Sequence, residues 1–192
     1  MASGSSVVLT GANGSGKTTL LRIVSTLLRP SSGTGAICGL PLDGAADRIR
    51  GRVGYISSRG TLYDDLTASE NLRFAARLTG ASTPDGRIED LLASAGLSRA
   101  QNQRVRTFST GMRRRLSLTA LLLRPLELVL MDEPYAGLDT EGMAMVDHMV
   151  REFLNAGTTV IIASHQDGEA TRQATDAYRI EGGQLMPVGA GI

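Results

Sequence analysis

An α/β fold built on a mainly parallel sheet, with a helical segment inserted into it, is what this sequence predicts, and three observations carry the prediction. The apolar run Val7-Val8-Leu9 enters a glycine loop, Gly11-Ala-Asn-Gly-Ser-Gly-Lys-Thr18, that opens a helix. A second apolar run, Leu128 to Met131, closes on the carboxylates Asp132 and Glu133. Between and after these, strand-like and helix-like stretches alternate, the pattern of helical crossovers over a parallel sheet.

The glycine loop follows the pattern Gly-x4-Gly-Lys-[Ser/Thr] in the strand-loop-helix setting that phosphate binding requires. Glycines at 11, 14 and 16 let the backbone turn tightly and aim successive N–H groups at one anion, and the helix dipole adds positive potential at the same point. The expected phosphate contacts are Gly11, Asn13, Gly14, Ser15, Gly16, Lys17, Thr18 and Thr19. Lys17 reaches the outer phosphates and the Thr18 hydroxyl completes the shell of a Mg²⁺ ion. Lys17 is the only lysine in a chain whose other cationic side chains are all arginine. A planar guanidinium cannot replace a compact ammonium between two phosphates.

Composition sets bounds. A chain of 192 residues is one domain, or one with a subdomain, and has no room for a second copy of such a site. With a net charge of +1 and 20% charged residues it has no long-range field, which argues against a nucleic-acid partner and makes any anion site local. The single cysteine, Cys38, excludes an internal disulfide framework, fits a reducing cytosol, and reads as small apolar filler in a strand. No apolar run of spanning length and no leader pattern is expected, so any work at a membrane is done by docking on another protein.

In chain order, Val7 to Leu9 is a buried strand. Thr18 to Leu28 carries a helical stripe at Leu20, Leu21, Ile23, Val24 and Leu27, ended by Arg29-Pro-Ser-Ser-Gly33. Ala36 to Gly39 and Val53 to Ile56 read as short strands, the second committing Tyr55 to the core, and Ser57 to Gly60 as a loop. Thr67 with Glu70 forms a capping box for a helix running to Gly80. Arg87 to Ala95 is a second helix, and Phe108-Ser-Thr-Gly-Met112 leads into a third, on which Arg113 to Arg115 read as a solvated basic face. Thr140 caps a helix to about Asn155, where Met143, Met145 and Met149 serve packing and His148 is partly exposed. Thr158 to Ala163 is a β-branched strand before Ser164 and His165.

The strand ending in Asp132-Glu133 supplies what the loop lacks: Asp132 to hold the Mg²⁺ and Glu133 to polarise an attacking water. With these residues in view, Gly11 to Thr18, Phe108-Ser-Thr-Gly-Met112, Leu128 to Glu133, Ala136-Gly-Leu-Asp139 and Ser164-His165, in this order, resemble the ATP-binding cassette of ABC transporters over nearly the whole chain. The resemblance implies a P-loop NTPase (RecA-like) core from 1–58 and 116–192, with a helical signature subdomain from 59–115. It implies that Ser109 and Gly111 touch the γ-phosphate of ATP held by a second cassette, in a homodimer or heterodimer. It makes Asp139 part of the loop crossing that interface and His165 the switch histidine. ATP and Mg²⁺ are the implied cofactors, and a transmembrane permease subunit at the cytoplasmic face of the membrane is the implied partner.

Three positions depart from the family pattern. Thr110 and Met112 stand where a glycine and a glutamine are usual. Ser58, in Tyr55-Ile-Ser-Ser-Arg59, stands where the family has a glutamine near the Mg²⁺. The antiparallel N-terminal β subdomain, with the aromatic that stacks on adenine, is expected to be largely missing. The short length and the segment Tyr63 to Leu72 look most similar to the haem-exporter ATPase of cytochrome c biogenesis, with drug or polysaccharide exporter ATPases as the alternative. A cassette ATPase acting on chromosomes, DNA repair or ribosomes, and a truncated cassette with little turnover, are the remaining readings.

Overall fold

The structure is a computed structural model, and it describes residues 3–57, 62–84, 86–165 and 174–188. Two compact units emerge from the contacts: residues 1–57, 126–135 and 148–192 form the first, and 58–125 with 136–147 the second.

The first unit is built on a six-stranded sheet. Its strands are β1 (Ser6–Thr10), β4 (Val53–Ile56), β5 (Leu128–Asp132), β6 (Thr159–Ala163), β7 (Asp176–Glu181) and β8 (Gln184–Pro187), in the spatial order β4-β5-β6-β1-β7-β8. All neighbours run parallel except the last pair, an antiparallel hairpin. Residues of β1 and β5 are buried along their whole length, as strands covered on both faces must be, which is why they read as continuous apolar runs rather than alternating ones. Leu9, Leu21, Ile49, Val53, Leu130, Ala163 and Ile180 form a core cluster against which Tyr55 and Tyr178 pack.

Helix α1 spans Lys17–Val24, shorter than the stripe to Leu28 predicts. Its end is set by Thr26 in the left-handed region at φ 61°, after which Leu27 and Leu28 both return their N–H groups to the Arg22 carbonyl and point outward. The predicted strand at 36–39 is a hairpin instead: β2 (Ala36–Ile37) and β3 (Leu40–Pro41) turn through Cys38 and Gly39, at φ 50° and 72°. Two successive positive φ values are what a tight two-residue turn demands, so Cys38 is a turn residue and not strand filler. This hairpin is the second sheet. A short helix, α2 (Ala46–Arg50), follows it.

The second unit holds α3 (Ala68–Thr79), α4 (Arg87–Ser94) and α5 (Thr110–Thr119), continued by a 3₁₀ turn at Ala120–Leu123. Thr67 accepts from the Glu70 N–H at 3.2 Å while Glu70 accepts from the Thr67 N–H at 2.8 Å, the reciprocal box that the sequence predicts. The Thr67 N–H first, and the Thr67 side chain with it, hold the Glu70 carboxyl below its ordinary value. Leu72, Leu92, Leu97, Val105 and Leu116 are the interior, and Leu116 and Leu123 both belong to it. That is why the expected return to the core at 116 differs from the contact boundary at 125: one continuous helix and its 3₁₀ extension carry these side chains into the same cluster. Residues 140–147 of α6 (Thr140–Asn155) also group with this unit, and its remainder with the first.

The Arg113 to Arg115 run is not a solvated face. Arg114 is 5% exposed, Arg113 donates to the Val105 carbonyl at 2.9 Å and pairs with Asp64, and the Arg115 side chain is largely covered beside Glu141. Asn71 is the polar hinge of this unit. Buried at 4% exposure, it accepts from the Tyr63 N–H at 2.8 Å and donates to the carbonyls of Tyr63, Leu66 and Thr67. Asn71→Ala strands those groups, and we expect a loss of about 2 kcal/mol, read as a drop in thermal midpoint of roughly 4–8 °C. An unchanged midpoint would show that water replaces the side chain.

Candidate functional site

The carboxyl ends of β1, β5 and β6 meet at one edge of the sheet, where open α/β sheets place their ligands. Three backbone bonds fix this edge: Glu133 N–H to the Ala163 carbonyl, Ser164 N–H to the Leu9 carbonyl, and Ser15 N–H to the Ala12 carbonyl, at 2.9, 3.0 and 3.1 Å.

The glycine loop leaves β1 through Gly11 at φ 145°. A Cβ there would lie 2.7 Å from the Ile180 carbonyl oxygen and 2.8 Å from the Ser15 hydroxyl, so the position admits no side chain. Gly16, at φ 109°, is the N-cap of α1. The first-turn N–H groups of Lys17, Thr18 and Thr19 have no carbonyl within the helix to bond, and α1 carries no acidic residue in that turn to oppose an anion. Lys17 is buried to 6% exposure, and its ammonium donates to the Gly11 and Ala12 carbonyls at 2.6 and 3.1 Å. The cation is thus folded over its own loop. Asn13 and Gly14 are exposed; Gly11, Asn13 and Ser15, with His165 and Arg179, line a cleft of about 590 Å³ beside the loop.

Asp132 ends β5 at 5% exposure. Its Oδ2 accepts from the Thr18 hydroxyl at 2.8 Å and lies 3.5 Å from the Tyr55 hydroxyl. Its Oδ1 is buried and has no hydrogen-bond partner among the described residues. An open carboxylate oxygen beside a threonine hydroxyl is a hard-oxygen donor pair of the kind Mg²⁺ takes, with phosphate and water oxygens making up the rest. Among the described residues no group of three or more His, Cys, Asp and Glu side chains forms a metal cluster, so a cation here depends on such outside ligands. Thr18 and Asp132 fit the role expected of them. Ser58, the third expected ligand, lies outside the described residues.

Glu133 follows at φ 53°, in the left-handed region that non-glycine residues seldom occupy. The turn aims its carboxylate at His165, whose Nδ1 is 2.8 Å from Oε2. An ionised carboxylate only accepts, so this contact puts a proton on Nδ1. The Glu133 and His165 side chains are 23% and 44% exposed, open enough for water to reach both.

In the second unit, Ser109 is the N-cap of α5 and accepts from the Met112 N–H at 3.2 Å. A methyl added at Gly111, in the first turn, would meet nothing nearer than the Ser109 hydroxyl at 4.0 Å, so the approach to that helix end is open. Asp139, not Thr140, caps α6: its Oδ1 accepts from the Gly142 N–H at 2.8 Å, and its carbonyl from the Met143 N–H at 2.9 Å. A short carboxylate reaches that N–H one position earlier than the threonine would.

Sequence reasoning missed Tyr55. Its ring packs against the core cluster as expected, but the residue is only half-buried and its hydroxyl lies at Asp132. The pairing of β4 with β5, which no local pattern reveals, is what brings it there.

Comparison with known proteins gives this geometry a family. The family described as ABC transporter matches residues 1–136. The Nod factor export ATP-binding protein I of Cupriavidus metallidurans is 36% identical over 183 residues, which are 94% of this chain and 60% of that protein. A cytochrome c biogenesis ATP-binding export protein, CcmA of Cupriavidus necator, is 40% identical over 156 residues, covering 81% of this chain and 68% of that one. A solved structure of the ATP-binding subunit of an ABC transporter superposes with a TM-score of 0.87 at 29% identity, covering 96% of this chain and 78% of its own. The chain spans 60% of the length of the Nod factor export relative. With the match covering residues 1–136 and relatives at 36% and 40% identity, this chain belongs to the ABC transporter family, among its ATP-binding domains.

Proposed function

We propose that the chain binds and hydrolyses Mg²⁺-ATP as the nucleotide-binding subunit of an ABC exporter. The observation that carries this is the contact of Glu133 with His165, 2.8 Å apart at the same sheet edge as the Lys17 loop and the Thr18–Asp132 pair. Backbone N–H groups of the loop and the Lys17 ammonium hold the phosphates. Once a phosphate arrives, the ammonium exchanges two carbonyl partners for a charged one, a stronger bond. Thr18 and Asp132 hold the Mg²⁺, which when bound neutralises charge on the outer phosphates. Glu133 accepts a proton from the attacking water as general base, while His165 fixes the direction of that carboxylate.

Ser109 and Gly111, at the N-terminus of α5, form a second anion site whose phosphate is delivered by another cassette, in a homodimer or heterodimer. Asp139 orders the loop at the start of α6 for the same interface. The chain works beside a transmembrane permease subunit at the cytoplasmic face, a reading that its family membership supports; no helix among the described residues is long and apolar enough to cross a membrane. The named relatives support export as the direction of transport. Haem export for cytochrome c maturation is the cargo reading carried here, supported by the 40% identical relative; the Nod factor relative keeps a drug- or polysaccharide-type exporter as the second. Membrane co-purification that identifies the partner permease decides between them.

Glu133→Gln leaves the hydrogen bond to His165 possible but removes the base. ATP binding should persist while phosphate release falls about a hundredfold or more; turnover close to the parent's would overturn the assignment. For the second anion site, a Ser109→Arg chain mixed with a Lys17→Ala chain should recover turnover that neither shows alone, since one composite site in a mixed dimer keeps all its parts. Were Ser109→Arg to weaken ATP binding by the isolated chain as much as Lys17→Ala does, the two residues would serve one site and the paired-cassette arrangement would fail.

A further inference from the structure

The register of β4 and β5 sets Tyr55 opposite Leu130, which puts Asp132, two residues further along β5, on the same face of the sheet. The Tyr55 hydroxyl lies 3.5 Å from Asp132 Oδ2, and the Arg22 guanidinium of α1 is close enough to act electrostatically on the phenol. A phenol has one proton to give, and a guanidinium only donates. The carboxylate only accepts, so in the contact with Asp132 the phenol is the donor. Thr18 donates to that same Oδ2 at 2.8 Å. Two hydroxyls on one carboxylate oxygen fix the rotation of the group, and the oxygen they leave over is Oδ1, buried and without a partner among the described residues.

We propose that Tyr55 is a positioning residue for Asp132 that keeps Oδ1 turned toward the cation of a Mg²⁺–nucleotide complex. This rests on the nucleotide-site reading above and adds to it a residue outside the recognised motifs. At 3.5 Å the Tyr55 contact is long for a hydroxyl donor, which suits a group that steers a carboxylate already bound by Thr18. A phenol keeps its proton through neutral pH, so Tyr55 can act only as the donor to this carboxylate. The arrangement also explains why a large polar side chain occupies this strand position: a phenylalanine would fill the space and give Asp132 nothing.

The test is a titration of the full chain with a fluorescent ATP analogue, first in EDTA and then across a range of Mg²⁺ concentrations. Tyr55→Phe removes one oxygen. It should bind the analogue in EDTA as the parent does, while the Mg²⁺ concentration for half-maximal tightening rises about tenfold, the loss typical when a ligating side chain is deprived of its outer partner. Arg22→Gln should raise that midpoint in the same direction and by less, and it reads the same quantity should the tyrosine variant not fold. A midpoint for both variants indistinguishable from the parent's overturns the inference. So does an equal loss of affinity in EDTA, which would make Tyr55 a structural residue. If binding by the parent itself does not respond to Mg²⁺, the nucleotide-site reading falls and this inference falls with it.

Discussion

The hydrogen bond from the Thr18 hydroxyl to Asp132 joins residues 114 positions apart, and the rest of the first unit is arranged so that it can form. Thr18 stands on the first turn of the helix that leaves β1, and Asp132 is the last residue of β5. These strands are not neighbours; β6 lies between them and bonds to both. The ends of three parallel strands must therefore be level to within a fraction of a residue. A slip of one residue in either ladder would turn Asp132 to the other face of the sheet and remove it from the site altogether. The polar residues at the strand ends, Thr10 and Asp132, resist such a slip, because a shift would set them against new neighbours without their hydrogen-bond partners.

The two units use different means to place their functional ends. In the first, backbone ladders do it, and the side chains at the edge are short and follow the strands. In the second, helix starts are set by capping: Thr67 with Glu70 for α3, and Ser109 for α5. Arg113 then anchors the flank of α5 to the Val105 carbonyl and to Asp64. Arg113 and Arg115 of the basic run are thus paired inside the unit and serve as an internal brace.

How much of this is legible in the sequence depends on how far apart the partners lie along the chain. The capping box at Thr67 and Glu70 spans a single turn, and the sequence shows it to the residue. The glycine loop and the Asp132-Glu133 strand end are legible because each motif is local and chemically restrictive. Asp139 and Thr140 are both good caps in adjacent positions, so the sequence points to Thr140 and only the observed bonds give the role to Asp139. Tyr55 escapes for a different reason. An aromatic in a strand of V-G-Y-I composition signals core, and its partner Asp132 is 77 residues away. β7 and β8 are hidden because their residues are largely exposed and carry no apolar period.

Glu133 holds a backbone conformation that any residue with a Cβ adopts at a cost of roughly 1 kcal/mol or more. Glycine would sit there without strain, so the backbone by itself favours losing this carboxylate. Set against that strain is the 2.8 Å contact of the carboxylate with His165. Should the strain outweigh that contact, a screen that rewards only thermostability or expression would drift toward small, conformationally free residues at 133 and discard the base proposed above. Stability selected in that way and competence at the sheet edge pull against each other at a single φ angle.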